Sequence, residues 1–215
     1  MTLPRATSEV RTPPTARQVE LLAGLEELFL AEGFARFTLD DLAARLRCSK
    51  STLYSLAASK EQLAVRVVAH YFKATAERVE ARVADVADVR ERIGGYLSGA
   101  AEELRRASPR FIADVAEFAP TRSTYERNAR AAADRIRGFV QRGVDDGVFR
   151  YVHATLVAEM AGLLIEGIQT GVLTRRAGVT DAEAFAGLAD LLLGGLAEPG
   201  TAQGRIGARE RPADG

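Results

Sequence analysis

Residues 38–60 read TLDDLAARLRCSKSTLYSLAASK. Thr38 followed three residues on by Asp41 is a capping box: the hydroxyl accepts the third helical N–H, and the acid accepts the cap's own N–H. A helix over 39–46 follows. Ser49 sets the cap of a second helix over about 50–55, and Ser59 opens S-K-E-Q, another capping box, at the start of a third. Two short helices joined by three residues and packed on a longer one form a helix-turn-helix.

Working outward, Thr15 opens another box, T-A-R-Q. Leu21, Leu25 and Leu28, with Leu22 and Phe29, then form a helical stripe that Gly33 ends as a C-cap. After Ser59 one long helix is predicted to about Val83. Further helices are predicted over about 89–106, after Ser108-Pro109, over 121–146 ending at Gly147, over 154–174, and from the box at Thr180 to about Leu196. No run alternates with period two as a half-buried strand does. The predicted fold is all-α, an N-terminal three-helix helix-turn-helix head followed by a C-terminal bundle of about six helices. Residues 1–14, with Pro13-Pro14, are predicted to be a disordered arm and 198–215 a disordered tail.

Composition excludes more than it assigns. Lys and Arg number 29 and so do Asp and Glu, for a formal net charge of zero, so any affinity for nucleic acid must come from local charge. Cys48 is the single cysteine, which rules out an internal disulfide and fits a reducing cytoplasm. MTLPRATSEVRTPPT has no apolar core for a signal peptide. The most apolar stretch, 154–174, carries Glu159, Glu166 and Gln169 and reads as a buried helix, not a membrane span. A cytoplasmic location without membrane attachment is expected.

Local charge does point somewhere. Between Leu42 and Lys60 stand Arg45, Arg47, Lys50 and Lys60, with no acid. The second helix of a helix-turn-helix enters the major groove with its first residues at base edges. Here Ser51, Thr52 and Ser55 are short polar groups suited to close approach. Tyr54 can bond a phosphate through its hydroxyl, and Lys50 and Lys60 supply charge. The helix N-termini at Leu39 and Lys60 present backbone N–H groups that can receive phosphates. Thr38 then either caps alone or caps and touches phosphate. Cys48 either fills a small apolar slot or acts as a redox sensor beside Arg45, Arg47 and Lys50.

Together, Gly33-Phe34, the run T-L-D-D-L-A from Thr38, C-S-K-S-T-L-Y over 48–54 and S-K-E-Q-L over 59–63 resemble the TetR family of transcriptional regulators over about residues 16–64. The resemblance implies a DNA-binding domain over 15–62 and a ligand-binding and dimerisation domain over 63–197. It carries DNA contacts onto Thr38, Ser49, Lys50, Ser51, Thr52, Tyr54, Ser55 and Lys60. Two departures stand out. Arg47-Cys48 replaces the usual Gly-Val turn, and Ser55-Leu56-Ala57 replaces the aromatic or His and Phe that follow the tyrosine. Arg47 at a turn position favouring the left-handed region is mildly costly, and either reaches a phosphate or stays solvated. The head is therefore expected to lean on Arg47, Lys50 and Lys60.

The remaining chain suggests two further sites. His70, Phe72, Phe111, Phe118, Tyr125 and Phe139 are candidates for a ligand pocket between helices, with plain core packing as the alternative. The helices over 154–174 and 184–196 are apolar nearly all round and rich in Gly and Ala, so a second copy is the natural cover. Leu156, Met160, Leu164, Leu188 and Leu192 are the candidate contacts. A homodimer implies a palindromic operator in double-stranded DNA, and the family implies an unidentified small-molecule effector and, most often, repression. No Gly-rich phosphate loop, nucleophile elbow or metal-spaced cluster is present, and two histidines make a poor catalytic set. Neither an enzyme nor a cofactor or metal is expected; a helical adaptor without DNA binding is the rival reading.

Overall fold

In a computed structural model the chain is described over residues 15–197. The helices are α1 (Ala16–Glu32), α2 (Leu39–Arg45), α3 (Lys50–Tyr54), α4 (Lys60–Val83), α5 (Val89–Leu104), α6 (Pro109–Glu117), α7 (Ala119–Asp145), α8 (Ala154–Gln169), α9 (Val172–Ala177) and α10 (Asp181–Leu196). No strand occurs among the described residues, and none of the helices there is long and apolar enough to cross a membrane. The expected arm at 1–14 and tail at 198–215 lie outside the described residues.

Local sequence explains most boundaries. The boxes at Thr15, Thr38 and Thr180 each make both reciprocal bonds. Ser59 accepts the Gln62 N–H, but the Gln62 carboxamide turns to the Ala58 N–H instead, so this cap is one-sided. The single helix expected over 154–174 is two. Gly171 adopts φ 69°, in the left-handed region, where glycine has no Cβ to clash, and α8 stops at Gln169 before α9 restarts. His153 caps α8 by accepting the Leu156 N–H at 3.3 Å.

Two apolar clusters share α4. The first joins α1, α2, α3 and the first half of α4 through Leu25, Phe29, Leu42, Leu53, Leu63 and Val67, and extends to Phe111 and Tyr125. The second, built from α5, α7, α8 and α10, begins at Val83, the last residue of α4. α4 is thus the strut that head and body share.

Candidate functional site

Leu53 is almost fully buried and fixes α3 on the head. Around it Ser49, Lys50, Ser51, Tyr54 and Ser55 are exposed, while Thr52 is half-buried. Tyr54 is half exposed, at 51%. The small hydroxyls are already engaged with one another. Ser49 Oγ lies 2.6 Å from Ser51 Oγ and 2.8 Å from Thr52 Oγ1, and Ser55 Oγ donates to the Thr52 carbonyl at 2.7 Å. The Ser55 carbonyl in turn accepts from Gln18 Nε2 on α1 at 3.2 Å. These bonds hold the face of α3 in one shape before any ligand arrives.

The local charge differs from its appearance along the chain. Arg45 makes two bonds to Glu32, at 2.7 and 3.3 Å, and Lys50 Nζ pairs with Asp40 at 2.7 Å. Glu32 and Asp40 lie outside the acid-free window in sequence, yet folding returns them to it. Lys60 Nζ donates to the Ala35 carbonyl at 2.7 Å. Among the described residues, Arg47 alone of the four cations has no such partner. It adopts φ 48°, the left-handed conformation the turn demands.

The helix N-termini are also more acidic than expected. The Thr38 hydroxyl donates to Asp41 Oδ2 at 2.7 Å and accepts the Asp41 N–H at 3.2 Å, so capping occupies it fully. Those bonds to Thr38 hold the Asp41 carboxyl below its ordinary value, and it stays charged at the first turn of α2. Glu61 plays the same part on α4, its pKa lowered chiefly by the Ser59 hydroxyl. Each acid competes with a phosphate for the same end of the helix dipole. Cys48 is half-buried and packs against the head core, as a small apolar side chain does.

A second site lies in the body. A cavity of about 430 Å³ opens between α4, α5, α7 and α8. Of the six candidates only Phe72 lines it. Phe111 and Phe118 instead pack on Phe34, at ring distances of 6.3 and 5.8 Å, because α6 docks on α1. Tyr125 meets Phe72 edge-on, and Phe139 is buried against Tyr96. His70 faces neither core nor pocket: its Nδ1 lies 2.5 Å from Glu26 Oε2 on α1. The polar lining, missed from sequence, comes from Tyr96, Glu103, Asn128, Arg135 and Gln169. An aromatic-first search could not find them, since a cavity's polar rim has no periodicity of its own.

The apolar surface is a third feature. Leu156, Met160 and Leu163 stand out from α8, Leu163 at 69% exposure, and Leu191 stands out from α10 at 65%. Leu164 is half-buried on its own body core. Leu188 and Leu192 are corrections, 4% and 8% exposed. They sit in the core with Ile93 and Leu97, because α10 lays that stripe on α5. The outward stripe of α10 is Gly187, Leu191 and Gly194, and a Cβ on either glycine would meet nothing within 4 Å.

Residues 21–67 match the family model described as "Bacterial regulatory proteins, tetR family". No curated protein matches the chain. Solved structures share its fold. A transcriptional regulator from Saccharomonospora viridis in complex with choline is 21% identical, with a TM-score of 0.70 over 85% of this chain and 98% of its own. E. coli NemR in its reduced form is 18% identical, with a TM-score of 0.70 over 86% and 100%. The transcriptional regulator FadR from Bacillus subtilis, in complex with stearoyl-CoA, is 14% identical, with a TM-score of 0.66 over 82% and 98%. The family model thus matches the helix-turn-helix segment of the chain, and the all-helical body shares its fold with these regulators.

Proposed function

We propose that the chain acts in the cytoplasm as a homodimeric, ligand-responsive repressor, reading a near-palindromic operator with residues 15–62 and sensing an effector with residues 63–197. The observation that carries the DNA-reading part is the exposed face of α3, with Lys50, Ser51 and Tyr54 outward over a buried Leu53 anchor. Arg47 and Lys60 flank it as phosphate contacts, while Thr38, Ser49, Thr52 and Ser55 hold the backbone in place.

The apolar faces of α8 and α10 support the dimer. Leu156, Met160, Leu163 and Leu191 form a surface that two copies bury together as a four-helix interface with twofold symmetry. The cavity supports effector binding, and relatives of this fold were crystallised with choline and with stearoyl-CoA. A packed route leads from the cavity to the head: Tyr71 on α4 meets Phe111 on α6 edge-on at 5.4 Å, and Phe111 meets Phe34, in the turn after α1, at 6.3 Å. A ligand that prefers one setting of α4 therefore biases the spacing of the two heads.

Selection from random duplex DNA tests the reading. The expected product is a twofold-symmetric sequence with half-sites about one helical turn apart or a multiple of it, bound more weakly as salt rises. Binding without an enriched sequence and without salt dependence would leave the adaptor reading in its place.

A further inference from the structure

The cavity's charged groups are all paired with protein partners. Arg135 on α7 grips Glu80 on α4 through two parallel bonds, Nε to Oε1 at 2.7 Å and Nη2 to Oε2 at 2.6 Å. Glu103 on α5 takes Arg78 at 2.8 and 2.5 Å and Arg106 at 2.8 Å. The Arg78 bonds hold its carboxyl below the ordinary range, so it stays ionised and occupied. Asp134 pairs with Arg137 at 3.0 Å. A charged molecule entering here has no free counter-ion. It meets acids and arginines that already neutralise one another, most of them half-exposed, and so gains little net attraction here.

The uncommitted groups are neutral. Gln169, the last residue of α8, lines the cavity, and its Oε1 is buried without a hydrogen-bond partner. A buried carbonyl oxygen left unmatched is a standing cost, and a turn of the Gln169 carboxamide into the cavity it lines lets a ligand donor remove it. Tyr96 adds a phenol that burial pushes up to about 12, so it remains protonated, and Asn128 adds a second carboxamide. Apart from Thr75, whose hydroxyl is bonded to Glu103 and Arg78, the other walls are apolar or aromatic, among them Phe72, Val79, Leu97 and Ile165. The volume of about 430 Å³ lies within the range of small-molecule sites.

We propose that this cavity takes a neutral, mainly apolar ring compound carrying a hydroxyl or N–H donor, which Gln169 Oε1 accepts. The proposal rests on the effector-binding reading above and narrows it. It makes Gln169 a specificity-determining residue and excludes quaternary ammonium and carboxylate effectors at this site.

Four probes on one biphenyl skeleton test it by calorimetry on the full chain: para-phenylphenol, its methyl ether, para-phenylbenzoate and the para-trimethylammonium analogue. The phenol is expected to bind saturably, and the ether about fivefold to tenfold more weakly, the worth of one hydrogen bond. Gln169→Leu is expected to erase the difference between phenol and ether. Ala100→Phe, which fills the cavity from α5, is expected to abolish both; circular dichroism checks that each variant folds. Tighter binding of the carboxylate or the ammonium overturns the proposal, as does an unchanged phenol preference in Gln169→Leu or no saturable binding of the phenol. Release of selected operator DNA is measured alongside. A charged probe that binds and releases DNA sinks the ligand class and keeps the ligand-responsive reading. A phenol that binds without releasing DNA does the reverse.

Discussion

Replacing Asp114 by Ala should loosen the joint between body and head. Its side chain is buried on α6, and Oδ2 accepts two backbone N–H groups from the turn after α1, Phe34 at 2.6 Å and Ala35 at 2.8 Å. That turn leaves α1 through Gly33, at φ 72°, where an added Cβ would lie 2.5 Å from the same Oδ2. Bonds to an ionised acceptor are worth about 1.5–3 kcal/mol each, and truncation also orphans two donors, one of them buried. Partial hydration of the Ala35 end reduces the sum, so a loss of about 3–4 kcal/mol is expected for Asp114→Ala. Asp114→Asn keeps an acceptor and should lose about 1–2 kcal/mol. At roughly 2–4 °C per kcal/mol for a domain of this size, the alanine variant should melt about 6–15 °C lower. Urea unfolding gives the energies, and operator titration reports on the head. A loss below about 1 kcal/mol in Asp114→Ala would refute the claim that this carboxylate ties α6 to the turn.

Arg47→Gly should raise stability by about 1 kcal/mol by relieving the left-handed backbone. The same variant should lower the salt slope of DNA binding by about one, as the loss of a single phosphate contact does. Asp40→Asn releases Lys50 from its ion pair and should tighten operator binding a few-fold at low salt, read by fluorescence anisotropy. Leu163→Glu with Leu191→Glu should give a folded monomer in sedimentation, whereas Leu188→Ala should cost about 2–5 kcal/mol in unfolding as a core cavity does. Glu103, its pKa lowered by Arg78, contributes stability that is present above its ordinary value and lost as pH falls through the lowered folded one. Glu103→Gln should therefore flatten the acid limb of the stability profile.

Helix starts were legible in the chain because a cap is local chemistry: Thr15, Thr38 and Thr180 each carry their reciprocal partner three residues on, and the structure forms all three boxes. The helix-turn-helix followed from those starts and from the apolar spacing around Leu42 and Leu53. Even the cost of Arg47 could be read from its turn position. Pairing across elements was not legible, since nothing local says that Asp40 reaches Lys50, that Glu32 reaches Arg45, or that His70 meets Glu26. Periodicity showed that the last helices are apolar but not which stripe faces which neighbour. Only the docking of α10 on α5 put Leu188 and Leu192 inside and left Leu191 outside. The cavity likewise exists only where four helices fail to fill the space between them. The sequence by itself therefore determined the helices and the kind of head they build. Tertiary packing decided which charges on the head stay unpaired and where the body leaves a cavity, because both depend on side chains meeting across large separations in the chain.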